Sequence, residues 1–365
     1  MNVCIIGEGL TALSLAKSLI NKKINVHYYH KSRIKNLSTN RTIGISKSNF
    51  EFFTQEIFQI HKKNYWKIKK IKICSEKLKN KNILEFENNE DDLFYMIKNY
   101  ELYNSLSTKM SKNKFFKKII IKKDHQYQEI INKRNYDLIV NCDSNSPLTK
   151  KYFYKKIDKD YYNLAYTSIL THEEIDNNTA IQTFTKSGPI AFLPISRTQT
   201  SVVCSLEIKD IKYSDSEVID LINKHNPKYK INKIFKLSRF KLGSSSLRNY
   251  YYKNILAFGD ILHRIHPLAG QGFNMTIRDI KILSEIIQNK IDLGLQLDLS
   301  ILDDFEKKTK IKNFIFCNGI DFIYEVFNAD KKIQNKGFNK ILNIVGKNKN
   351  LTNYFIRLAD RGLNF

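Results

Sequence analysis

Residues 254–279 constrain the fold of this chain more than any other stretch. They begin as an apolar run of Ile255, Leu256, Ala257 and Phe258, turn at Gly259 and Asp260, and pass Pro267. Two glycines, Gly270 and Gly272, then stand directly before a helical repeat of Phe273, Ile277, Ile280, Leu283 and Ile287. Glycines placed there leave the backbone bare at the positive end of a helix, so a ligand that is anionic or accepts hydrogen bonds can sit against the N–H groups.

The N-terminus carries a second stretch of the same kind. Residues 2–7 read as a short buried strand, Leu10, Leu13, Ala16, Leu19 and Ile20 mark one face of a helix, and residues 24–29 read as the next strand. The turn between the first strand and the helix is a GxGxxA sequence. Gly7 permits the tight turn, Gly9 lets backbone approach a pyrophosphate, and Ala12 allows close packing of helix on strand. The acidic residue that commonly ends the second strand and binds a ribose hydroxyl is replaced by His30. A neutral imidazole can accept one hydrogen bond there but cannot make the charge-assisted pair of a carboxylate.

Residues 50–60 are amphipathic, 65–88 are β-rich, and 93–106 pass from strand to helix. Further strands are expected over 115–123, 136–143, 164–170, 180–184, 188–195, 200–208 and 234–242, with a short helix over 216–223. Beyond residue 290 the chain reads as helical. The pattern predicts an antiparallel sheet inserted between nucleotide-binding parts, with domains interleaved and not strung in series. With 365 residues, 42% of them hydrophobic, the chain has ample material for such a core.

The net charge of +25 comes from lysines scattered through every segment. It reads as a compositional bias and not as a dedicated polyanion site, so no specific nucleic-acid partner is expected, although a weak attraction to anionic lipid follows. Cys4, Cys74, Cys142, Cys204 and Cys317 form no CxxC pair and are expected to be buried thiols in a reducing compartment. No apolar run approaches the ~20 residues that span a bilayer. The first apolar run is also too short for a secretory signal. The expected location is the cytoplasm, with peripheral contact at the inner membrane.

The GxGxxA turn, together with Gly259, Asp260, His263, His266, Pro267, Gly270, Gln271 and Gly272 far downstream, is specific as a pair. It resembles the class A flavoprotein monooxygenases, the p-hydroxybenzoate hydroxylase fold. The wording from His266 through Asn274, followed by Arg278 and Asp279, is most similar to the ubiquinone-biosynthesis hydroxylases of that family. Three further segments agree, at residues 40–46, 184–194 and 240–243.

The resemblance implies an α/β fold: a Rossmann-like FAD-binding domain (1–65, 93–150 and 240–295) interleaved with an antiparallel β-sheet substrate domain (66–92 and 151–239), and a helical C-terminal region (296–365). FAD would lie with its pyrophosphate at Gly7 and Gly9. Asp260 would bond the ribityl chain, and the backbone of Gly270, Gln271 and Gly272, with Asn274 beside them, would meet the pyrimidine edge of the flavin. Reduced flavin carries negative charge at that edge, which a helix N-terminus stabilises. Pro267 would line the flavin face near the reacting carbon, and Arg41 would lie near the cofactor. NAD(P)H would reduce FAD, and reduced flavin would activate O2 to hydroxylate an electron-rich phenol. The chemistry is the cofactor's, so no Ser-His-Asp or metal constellation is expected. The implied substrate is a polyprenylated phenol, with Phe192, Leu193 and Ile195 either lining an apolar pocket or serving as ordinary sheet core.

The chain departs from the family pattern at four places besides His30. Tyr100 stands where an Arg is usual, Ser144 follows Asp143 where a Gly is usual, and Ile261 and Leu262 replace two alanines. At Tyr100 a contact to the cofactor that the resemblance implies is lost or replaced, and at Ser144 the glycine that lets backbone approach the pyrophosphate is gone. His263 and His266 read as structural and not as metal ligands, and Arg278 with Asp279 reads as a surface pair. Two alternatives therefore stay open: a flavin hydroxylase of another aromatic substrate, and a non-catalytic subunit of a quinone-biosynthesis complex.

Overall fold

The structure is a computed structural model. It describes residues 1–31, 39–76, 81–87, 92–132, 135–208, 213–266, 270–332 and 356–362.

The N-terminal strand Asn2–Ile6 is central in a six-stranded sheet. The order is Tyr251–Tyr252, Ile255–Ala257, Leu138–Asn141, Asn2–Ile6, Asn25–Lys31, Phe116–Ile121. All pairings are parallel except the short hairpin between Tyr251–Tyr252 and Ile255–Ala257. Its central strands are covered on both faces, which is why they read as unbroken apolar runs and not as alternations. The helices Leu10–Asn21 and Gln271–Asp292 lie together on this sheet, joined by a buried hydrogen bond of 2.6 Å between the Ser18 and Ser284 hydroxyls. Ile277, Ile280, Leu283 and Ile287 share one core with Val3, Ile5 and Leu13, so the helical face read from the sequence is the face that packs.

The second sheet follows the order His263–Arg264, Ser238–Leu247, Lys156–His172, Gln199–Glu207, Gly188–Pro194, Thr179–Thr185, Lys70–Ser75, Lys81–Glu87, with Ile231–Ile234 added beside Lys156–His172. It is antiparallel except where Thr179–Thr185 runs parallel to Lys70–Ser75. The spine is one strand of 17 residues, Lys156–His172, longer than the apolar segment at 164–170 indicates because its first residues are polar and exposed. Helix Asp215–Lys224 covers one face, packing Val218 and Ile222 on Tyr166, Phe192 and Val202. A Ser214–Glu217 capping box starts that helix.

A third, small sheet of Thr42–Ser46, Phe94–Lys98 and Trp66–Ile68 stands between the two. The Thr42 hydroxyl donates to Ser201 of the large sheet at 2.8 Å, tying the layers together. The amphipathic stretch after it is a short helix, Lys47–Phe52, continued by a wider turn, Phe53–Ile57. The expected strand at 234–242 is two strands, Ile231–Ile234 and Ser238–Leu247. Helix Ser300–Lys332 packs Phe305 on Phe258 and Tyr250, and Phe316 and Cys317 on Ile265 and Met275. A last helical turn, 356–361, returns to Thr42–Ser46 and the helix after it: Ser46 and Ser48 hydroxyls donate to the Asp360 carbonyl at 3.1 and 3.0 Å. Ile341 and Phe355, expected to be helical, lie outside the described residues.

Candidate cofactor site

The site is built at the carboxyl edge of the parallel sheet, where open α/β sheets bind ligands. Gly7 leaves the first strand with φ of +150°, and a Cβ there would stand 3.0 Å from that of Cys142 and 3.3 Å from that of Ala12. Ala12 is fully buried, so the helix is seated close to the strand only because both residues are small. Gly9 is the exposed N-cap of helix Leu10–Asn21 and has no side-chain cap. Apart from its chain neighbours, no described atom lies within 4 Å of where its Cβ would be, so the space beside the start of the helix is open.

Asp260 is brought to the same place from far along the chain. It sits exposed in the turn Gly259–Ile261, and its carboxylate and that of Asp143 both push the Cys142 thiol up, on top of the larger effect of burial. Ile261 and Leu262 are buried in the core beneath it. At the altered position, Asp143 keeps the turn without a glycine: its Oδ1 accepts the Asn145 N–H at 2.9 Å, and Ser144 is exposed. Arg41 is exposed, and its carbonyl accepts the Asn99 N–H at 3.0 Å, which sets it beside Tyr100 at the start of helix Asn99–Met110. The Tyr100 hydroxyl is turned to the Glu101 carboxylate at 3.1 Å.

His30 is the last residue but one of the second strand, 8% exposed, with Nδ1 at 2.8 Å from the Lys31 carbonyl. Burial pulls its pKa down, which keeps it neutral near pH 7. Sequence reasoning passed over its neighbour Glu8, whose Oε1 is buried with no hydrogen-bond partner among the described residues. The available signal was an acid inside the glycine turn itself.

At the start of the later helix, Gly270 takes the left-handed conformation (φ +63°) as N-cap of Gln271–Asp292. The position of its absent Cβ is 3.7 Å from the Gly44 nitrogen, so the turn lies directly over Thr42–Ser46. Gln271 is 1% exposed, and neither polar atom of its side chain has a partner among the described residues. Gly272 borders open space. Asn274 is fully buried and has its whole amide bonded within the protein, so it acts on the site by positioning Gly44 and Gly270. Pro267 lies outside the described residues.

Arg278 and Asp279 are not a surface pair. Asp279 is 1% exposed; its Oδ2 meets His263 Nε2 at 2.5 Å and its Oδ1 accepts from Asn313 at 3.0 Å. The Arg278 guanidinium nitrogens are buried, its charge centre lies 4.5 Å from the Phe316 ring centroid, and burial brings its pKa down to about 10. The sequence pattern placed them at a solvent edge, but Ser300–Lys332 and 356–362 cover that edge. His266 is likewise buried, stacked on Tyr324 at 4.1 Å and edge-on to Tyr161 at 5.0 Å, and burial lowers its pKa to about 3. The Tyr161 hydroxyl donates to Asp321, which also accepts from Ser244 at 2.9 Å. Phe192 does not face this cluster; it packs under helix Asp215–Lys224, and only Leu193 and Ile195 emerge beside Ile68 and Met96. Among the described residues no His, Cys, Asp and Glu group could hold a metal ion.

These features fit FAD. A bare helix N-terminus at Gly9 suits a pyrophosphate, a second at Gly272 suits an acceptor-rich heterocycle, and the buried polar atoms of Glu8 and Gln271 have no partner among the described residues.

Comparison with known proteins agrees. A family model described as an FAD binding domain matches residues 157–292. The ubiquinone biosynthesis monooxygenase COQ6 of Dictyostelium discoideum is 27% identical over 214 residues, 47% of this chain and 43% of that protein. The 3-demethoxyubiquinol 3-hydroxylase of Escherichia coli is 29% identical over 153 residues, 40% of this chain and 39% of that protein. The matched segments thus span about half or less of these relatives. The crystal structure of p-nitrophenol 4-monooxygenase from Pseudomonas putida superimposes with a TM-score of 0.74 at 12% identity, covering 97% of this chain and 96% of that one. The chain therefore has the fold of an FAD-dependent monooxygenase, and residues 157–292 match an FAD binding domain.

Proposed function

We propose that the chain is an FAD-dependent aromatic-ring hydroxylase that uses NAD(P)H and O2 and acts on a polyprenylated phenol in ubiquinone biosynthesis. The observation that carries this is the turn at Gly270, Gln271 and Gly272, held over Gly44 by Asn274 at the same sheet edge as the open Gly9 cradle. When bound, FAD would supply the redox and oxygen chemistry. Gly7, Gly9 and Asp260 would hold its phosphate and ribityl portions, and the N–H groups at Gly270, Gln271 and Gly272 would stabilise negative charge on the flavin ring. The aromatic cluster of Tyr161, His266 and Tyr324 would exclude water beside the ring. The named functions of the COQ6 and hydroxylase relatives support the substrate class.

The location follows from the same reading: the cytoplasmic side of the inner membrane, where a prenylated phenol resides. No described helix is long and apolar enough to cross a membrane. Exposed Ile311, Phe314, Ile315 and Phe322 on Ser300–Lys332, in a chain of net charge +25, support peripheral contact, alone or within a quinone-biosynthesis assembly.

Purified protein titrated with FAD should become yellow, and a prenylphenol should accelerate its NAD(P)H oxidation. A chain that binds no FAD would instead support the accessory-subunit reading, which the neutral His30 and the Tyr100 and Ser144 replacements favour. Quinone profiling of a deletion strain names the step, because the intermediate before it accumulates.

A further inference from the structure

The carboxylate absent from the end of Asn25–Lys31 has a counterpart in the neighbouring turn. Glu8 lies between Gly7 and Gly9, and its Oε1 is buried and unpartnered among the described residues. Its charge acts on His30 and on the hydroxyls of Tyr28, Tyr103 and Tyr127. The Gly7 N–H donates to the Tyr29 carbonyl at 3.0 Å, so Glu8 follows directly beside the carboxyl end of Asn25–Lys31. His30 Nδ1 is 2.8 Å from the Lys31 carbonyl and must carry the imidazole proton to bond it, which leaves Nε2 an acceptor. Two acceptors therefore face one region, and neither can satisfy the other. What satisfies both is a ligand that brings a pair of donors, and a vicinal diol does so.

We propose that Glu8, with His30 Nε2, binds the ribose hydroxyls at the adenosine end of FAD, replacing from within the glycine turn the acid that the second strand lacks. The proposal rests on the FAD reading above. It explains why a buried carboxylate oxygen stands without a partner among the described residues, a state that is costly unless a ligand donor completes it. It also explains how the chain keeps a charge-assisted grip on ribose after losing the strand-end acid.

The test compares FAD with its analogue lacking both adenosine ribose hydroxyls, titrated by flavin fluorescence into wild-type protein, Glu8→Gln and the pair Glu8→Gln/His30→Glu. Wild type should prefer FAD about tenfold, equivalent to about 1.4 kcal/mol. Glu8→Gln should lose most of that preference while binding the analogue as wild type does, and the pair should recover it. Glu8→Gln is isosteric, and an unchanged melting temperature without flavin confirms its fold. A Glu8→Gln protein that keeps the full preference overturns the proposal while leaving FAD binding intact. Equal losses for FAD and the analogue also overturn it, since the effect is then structural. Wild-type protein that binds neither flavin removes the FAD reading and this proposal together.

Discussion

Asn274 fastens helix Gln271–Asp292 to Gly44: its Nδ2 donates to the Gly44 carbonyl at 2.9 Å, while its Oδ1 accepts the Ser46 N–H at 2.9 Å. The Gly270 carbonyl and the Asn49 amide, each at 3.3 Å, complete the set. Asn274→Ala should orphan several buried backbone groups and cost about 2–4 kcal/mol in urea unfolding. FAD affinity should fall with it, because Gly270 loses its anchor. Unchanged stability would show that the amide is not the fastening.

Gly270 and Gly272 should separate backbone strain from ligand contact. Gly270→Ala forces a left-handed alanine into space that exists, so the loss should be about 1–2 kcal/mol of stability. Gly272→Ala is in an ordinary helical position with open surroundings and should keep or slightly raise stability. Its methyl group would nevertheless occupy the space the flavin edge needs, so FAD titration should show weakened binding. Tight FAD binding by Gly272→Ala would count against this placement of the ring.

Asp279→Ala should be the most damaging of the substitutions considered. It removes the partner of His263 and of Asn313 in a fully buried setting, and breaking such a pair costs about 3–5 kcal/mol. Asp279→Asn keeps shape and should cost less. Denaturant midpoints of the two variants, measured side by side, give the answer; equal midpoints would remove the distinction between charge and shape.

His266 gives stability a pH dependence of known sign. Its folded pKa, about 3, is below the unfolded value of about 6.5, so the unfolded state binds the extra proton. The contribution is complete above about pH 6.5 and is lost as pH falls toward the folded value, by at most about 1.4 kcal/mol per pH unit. His266→Phe retains a ring against Tyr324 and should flatten this part of the profile. Parallel wild-type and variant curves between pH 4 and 7 would rule the contribution out.

The N-terminal unit and the long motif were legible because their information is local. Apolar runs, helical spacing and glycines next to helix starts are set by backbone sterics and burial within a few residues, and Gly7, Gly9, Ala12 and Gly270 occupy the positions those rules assign. The packed face of Gln271–Asp292 was legible for the same reason. Arg278 and Asp279 were misread because their environment comes from a helix 34 residues further on and from residues near the C-terminus. Phe192 was ambiguous because alternation assigns faces of a strand without saying which face meets which neighbour.

By itself, then, the sequence determined the βαβ start, the two bare helix N-termini and the chemistry they can hold, since each follows from residues adjacent in the chain. Only the tertiary structure decided that Gly259 lies against Thr11 and Asn274 beside Gly44, and that the Glu8 turn lies at the end of the strand that carries His30. The first two of those relationships join segments more than 200 positions apart, and no local preference encodes which ones the closing of a shared core brings together.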